Sequence, residues 1–138
     1  MTMMKAVTTT IAALSLTACV ADQNSISADS ARGKQLFDNQ CAICHGANGE
    51  GAGPASLGLG APPPSLQFLA ASNDGVFPRN YVLSVIQGLD RHTDPTAAMP
   101  IFGDGAMGQP ITVNNDGVTE TLPSDMLALL AYLKTVQR

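Results

Sequence analysis

The sequence predicts an all-α domain of four or five helices, with one small β-hairpin inserted before the last. Apolar residues recur at three- and four-residue steps in separated segments, and Gly- and Pro-rich connections lie between them. Neither an internal repeat nor a βαβ alternation is present. At 138 residues the chain has room for one ordinary domain.

The N-terminus stands apart from that domain. Met1–Lys5 form a short positive region and Ala6–Leu16 an uncharged, Thr-diluted apolar run. The run is too short to span a bilayer as a stable helix, so residues 1–18 read as an export signal. The other reading, an N-terminal core helix, conflicts with the single positive flank and the polar run that follows. Leu16-Thr17-Ala18-Cys19 resembles the lipobox of bacterial lipoproteins. That resemblance implies cleavage before Cys19, lipidation of its thiol and anchorage in a membrane on the extracytoplasmic, periplasmic side. The competing reading is an ordinary secretory signal that ends in a cysteine. In such lipoproteins an Asp directly after the cysteine favours the inner membrane; Val20 stands there and leans toward the outer one.

Residues 19–29 are polar and small, which predicts a flexible tether, and residues 30–138 form the domain. Asp29 or Ser30 is placed to cap a helix running to about Asn39, with Leu36 and Phe37 inward. Gly33 inside it costs about 1 kcal/mol relative to Ala, which marks a close helix contact. Gly46–Gly60 reads as loop and Pro62-Pro63-Pro64 as a stiff extended segment. A short helix is expected from Ser65 to about Asn73, ending at Gly75. Another runs from Pro78 or Arg79 to Gly88 and buries Val82, Val85 and Ile86. Loop follows from Asp90 to Asp104. Ile111–Val113 and Val118–Thr121 flank a turn-rich centre and predict the hairpin. In the last helix Ser124, preceded by Pro123, is the expected cap, and Met126, Leu129, Leu130 and Leu133 the buried face.

The formal charge is −4, and removing residues 1–18 takes away only Lys5, which leaves the rest more acidic. With no run of Lys or Arg, nucleic acid is excluded as a partner. Three cysteines is an odd number, so no disulfide framework accounts for them all. Cys19 lies in the lipobox, and the other two in Cys41-Ala42-Ile43-Cys44-His45.

Cys-x-x-Cys-His is a specific signal for haem c attachment, one haem per chain. Two thiols at this spacing add to the two vinyl groups of a porphyrin, and the adjacent imidazole reaches the iron. A thioredoxin-like dithiol would want a βαβ context, and a zinc site two further Cys or His ligands nearby; the sequence offers neither. With no Trp and only 4% aromatic residues, the core is short of large side chains, as suits a chain whose centre is filled by haem. The sixth ligand has several candidates: Met99, Met107, Met126 and His92. Met126 sits on an apolar helix face and reads as core. Met107, in a Gly-rich loop, reads as solvent-facing, and His92 as a solvated loop residue. Met99 precedes Pro100, which stiffens its loop.

Residues 30–138 resemble a class I bacterial cytochrome c. Met99-Pro100-Ile101-Phe102 is similar to that family's axial-methionine loop. Gly33, Phe37 and Tyr132 fall where it crosses its first and last helices. Gly53-Pro54-Ala55-Ser56-Leu57 resembles the loop whose proline carbonyl accepts a hydrogen bond from the axial histidine. The resemblance implies the class I cytochrome c fold around one covalently bound haem, with His45 and Met99 on the iron and Pro54 orienting His45. It implies a one-electron carrier with redox protein partners, not an enzyme. The other readings are a haem subunit of a dehydrogenase or reductase complex, and a haem protein whose labile sixth ligand yields to a small gas. The stretch 103–122 departs from compact members, either as a tolerated surface insertion or as a docking surface near the haem edge.

Overall fold

The computed structural model describes residues 23–89, 94, 96–102, 107–115 and 117–138. The export signal, Cys19 and His92 lie outside these residues. The described elements are α1 (Gln23–Gln40), α2 (Ala42–His45), a 3-10 turn (Pro54–Ser56), α3 (Arg79–Ile86), β1 (Pro110–Asn115), β2 (Val118–Pro123) and α4 (Ser124–Thr135). Four α-helices and one antiparallel hairpin match the expected class. Among the described residues no helix is long and apolar enough to cross a membrane.

The frame is the crossing of α1 and α4. A methyl at Gly33 would lie 1.9 Å from the Ala128 carbonyl oxygen and 2.8 Å from Tyr132 Cβ, so the missing side chain is what lets the backbones touch. One turn further, the Phe37 and Tyr132 rings meet with centroids 5.2 Å apart at 51°. Such tilted pairs contribute about 0.5–1.5 kcal/mol beyond area burial. Phe37 and Met126 are fully buried at the centre. Arg32 adds a two-pronged bond across the crossing, donating to Asp125 at 3.0 and 2.7 Å.

Three expectations need correction. α1 begins at Gln23, so Gln23–Asp29, read as part of the tether, are helical, and neither Asp29 nor Ser30 is a helix start. The stretch 65–76 is a run of turns with no α-helix, because several of its backbone donors have partners elsewhere. Leu66 N–H donates to the Gly49 carbonyl at 2.7 Å, and Ala70 N–H to Gln137 Oε1 at 2.9 Å. At α4 the cap position is Pro123, with no side-chain cap. The chain just upstream supplies the acceptors: Ser124 and Asp125 N–H donate to the carbonyls of Gln109 and Met107, each at 2.9 Å.

The hairpin is present with Thr112 opposite Thr121 and Asn115 opposite Val118. At its turn Gly117 takes a φ of 85°, and its N–H donates to Asn114 Oδ1. Arg79 Nη1 donates to Glu120 Oε2 at 3.2 Å, which ties β2 to the start of α3.

Candidate functional site

The attachment motif forms a single helical turn. Cys44 and His45 N–H both donate to the Cys41 carbonyl, at 3.1 and 2.9 Å. Residues three and four apart on a helix share a face, so Cys41, Cys44 and His45 point the same way. Both thiols are free and half-buried. Burial, with the neighbouring Cys44 adding, pushes the Cys41 thiol up to about 11. Dithiol oxidoreductases work through a lowered thiol pKa, so this one is shifted in the wrong direction for that chemistry.

Beyond His45 the chain folds back under its own motif. It reverses at Gly46, which has a φ of 81°. Gly51 N–H then donates to the His45 carbonyl at 2.7 Å, and Gly53 N–H to the Cys44 carbonyl at 2.8 Å. A methyl at Gly53 would lie 2.6 Å from the Ile43 oxygen and 2.7 Å from the Ala42 oxygen. The 3-10 turn follows, starting at Pro54 and closed by Ser56 Oγ donating to the Gly53 carbonyl at 2.6 Å.

His45 Nδ1 is buried without a hydrogen-bond partner. His45 Nδ1 makes no bond to the Pro54 carbonyl, and the backbone group that acts on the imidazole is that of Pro64. Burial holds the imidazole below its ordinary pKa, and Pro64 pulls the other way. The ring is thus neutral at pH 7, the form in which imidazole binds metals.

Two cavities of about 220 and 250 Å³ open beside this turn, and both are lined by Cys41, His45, Pro64 and Met99. The first is walled by Phe37, by Leu66 and Leu69 from the turn segment, by Val82 and Ile86 of α3 and by Leu129 of α4. The second is walled by Cys44, Leu59, the Pro62–Pro64 run, Pro100 and Phe102. No Asp, Glu, Lys or Arg lines either cavity. An uncharged apolar crevice, two thiols at helical spacing and a buried imidazole nitrogen without a partner fit haem c. A larger depression of about 690 Å³ lies between α3, α4 and the hairpin tip. Its lining includes Arg79 and Lys134 but no Cys, His or Met, so it lacks the groups that would hold haem.

Among the candidate sixth ligands, Met99 is brought to the crevice. Met126 is core, as expected. Met107, expected at the surface, is 3% exposed and packs in the core with Phe37 and Leu130. Its Gly-rich neighbourhood hid a tertiary contact that no local pattern encodes.

Sequence reasoning also missed a polar clamp behind the crevice wall. Gln137 Nε2 donates to the carbonyls of Leu66 and Leu133 at 2.8 and 2.7 Å, while its Oε1 takes the Ala70 N–H. Gln67, itself buried, donates from Nε2 to the Asn48 carbonyl at 3.1 Å. Together they fasten the wall carrying Leu66 and Leu69 to α4 on one side and to the attachment loop on the other.

A family profile described as cytochrome c matches residues 30–137. No curated protein and no solved structure matches the chain. With that match spanning the whole crevice, the chain belongs to the cytochrome c family, haem-based electron carriers whose iron-containing haem c is covalently attached.

Proposed function

We propose that the protein is a lipid-tethered, extracytoplasmic one-electron carrier in which His45 and Met99 are the two axial ligands of the haem iron. Haem supplies a reversible one-electron couple. Cys41 and Cys44 hold it covalently, the His45 imidazole meets the iron in its neutral form, and the uncharged walls keep water away from it. A thioether as second ligand favours the reduced state and so raises the potential. Two ligands fixed by the protein leave little to rearrange when an electron arrives. One observation carries the reading: Cys41, His45 and Met99 line both cavities, whereas Met107 and Met126 line neither.

Replacing Met99 by Ala abolishes the weak far-red band of a methionine-ligated ferric haem, lowers the potential and opens the reduced haem to carbon monoxide. His92→Ala does none of these. The reverse pattern would establish bis-histidine ligation, and carbon monoxide binding by the wild type would establish a labile sixth ligand.

Support for the tether comes from the lipobox ending at Cys19 and from a cysteine inventory in which the other two thiols serve the haem. Cys19→Ser leaves haem attachment intact and shifts the protein from the detergent phase to the aqueous phase on partitioning. Persistent membrane association would mean that a retained signal or a bound partner is the anchor.

A further inference from the structure

We propose that Gly88 is a positioning residue for the sixth iron ligand, its bare α-carbon forming the seat on which Ile101 rests and through which Met99 is aimed into the crevice. The proposal rests on Met99 being that ligand. α3 ends in a tight reversal. Gly88 N–H donates to the Val85 carbonyl at 3.2 Å, and Leu89 N–H to the Ser84 carbonyl at 2.7 Å. This paired closure puts the residue after the cap in the left-handed region, where Gly88 has a φ of 70°.

The same reversal leaves the Ile86 carbonyl free, and Phe102 N–H donates to it at 2.9 Å. Between these points, a methyl on Gly88 would lie 2.7 Å from Ile101 Cδ1, Cγ1 and Cγ2. The backbone bond at Phe102 and the side-chain contact at Ile101 thus both dock the segment Met99-Pro100-Ile101-Phe102 on the end of α3. α3 also contributes Val82, Val85 and Ile86 to the cavity that Met99 lines, so helix and ligand segment share a wall.

The chemistry of the clash decides what a side chain at position 88 does. The obstructing atoms belong to Ile101, which is 37% exposed and free to move outward, not to backbone. The domain therefore keeps its fold while Ile101 shifts, and Met99, two residues away, shifts with it. Ligand geometry changes and the scaffold does not.

Gly88→Ala tests this in the haem-loaded protein. The expected result is a far-red band reduced to less than half its wild-type intensity, and carbon monoxide binding to a reduced haem that excludes it in the wild type. Gly88→Ala/Ile101→Ala exchanges the two volumes and restores most of both. Gly75→Ala is the control for backbone strain: it has a φ of 80° but open space around its would-be Cβ, and it behaves as wild type. If Gly88→Ala loses haem, Gly88→Asn takes its place, because Asn tolerates the left-handed region and still displaces Ile101. A wild-type band in the position-88 variants would overturn the proposal. So would a double variant no better than the single one, since strain and not the seat would then be the cause. A wild type that lacks the band, with Met99→Ala changing nothing, would overturn the Met99 reading itself and this inference with it.

Discussion

The two sides of the crevice are built differently. On the His45 side the chain is stitched to itself by backbone bonds: Gly51 to His45, Gly53 to Cys44 and Leu66 to Gly49, all between 2.7 and 2.8 Å. Two of its glycines sit where a methyl would strike backbone, Gly53 against Ile43 and Gly51 against the Pro63 oxygen, while at Gly46 and Gly49 it would meet the side chains of Glu50 and Leu66. On the Met99 side the segment meets the end of α3 through the Phe102–Ile86 bond and the Ile101–Gly88 contact, and Met99 and Phe102 pack against the core that α3 helps to build. The contrast teaches that the covalently attached side is a scaffold that cannot yield. The ligand side is a segment whose position is set by side chains that can.

That difference ranks the glycine substitutions. Of the glycines on the two sides, Gly53→Ala brings the larger effect, because the three atoms nearest its Cβ all belong to the backbone of the attachment turn, at Ala42, Ile43 and Cys44. Overpacking costs typically about 1–3 kcal/mol, and the upper end or beyond is expected where no side chain can give way. The yield of haem-loaded protein falls sharply, and the unfolding free energy of what remains, read from urea titration, drops by that amount. Gly88→Ala, by contrast, changes the spectrum and ligand exchange while its stability falls only by the roughly 1 kcal/mol that Ala costs at a left-handed φ. Equal losses of stability in both would erase the distinction between the two sides.

The sequence was legible where chemistry or close contact dictates residue type. Cys41, Cys44 and His45 have one strong reading because three reactive groups at that spacing suit few tasks. Gly33 was legible as a helix contact because a mid-helix glycine needs a reason. The hairpin was legible from alternation around a turn-rich centre. What escaped depends on partners distant in sequence. Leu66 and Ala70 read as helix, yet their N–H groups go to Gly49 and Gln137. Ser124 read as a cap, yet the α4 N-terminus is satisfied by the Met107 and Gln109 carbonyls. Met107 read as exposed for want of a local apolar pattern. The expectation for Pro54 was carried by resemblance alone, and His45 Nδ1 has no partner there.

The smallest expected effect concerns the ion pair between Arg32 and Asp125 at the start of α4. Asp125 N–H holds the Met107 carbonyl, while the Asp125 carboxylate takes both prongs of Arg32. That hydrogen bond, with the charge of Arg32 behind it, holds Asp125 below its ordinary value of 3.8. A carboxylate depressed by folding stabilises the native state fully above its unfolded pKa. The contribution is lost as pH falls through its lower, folded value. Asp125→Asn therefore lowers the urea midpoint slightly at pH 7, and the gap to wild type closes as pH drops below 3.8. Added salt narrows the gap at pH 7, because the Arg32 side chain is half exposed and its charge is screened. A carboxylate in the first turn of α4 also interacts favourably with the helix N-terminus, and that benefit vanishes on protonation too. Arg32→Gln separates the two sources: it reproduces the loss if the ion pair is the cause and spares the midpoint if the helix terminus is. Both variants keep the far-red band, since neither touches Ile101, Gly88 or the Phe102–Ile86 bond. A band lost with Asp125→Asn would show that Met99 is positioned from the α4 end as well.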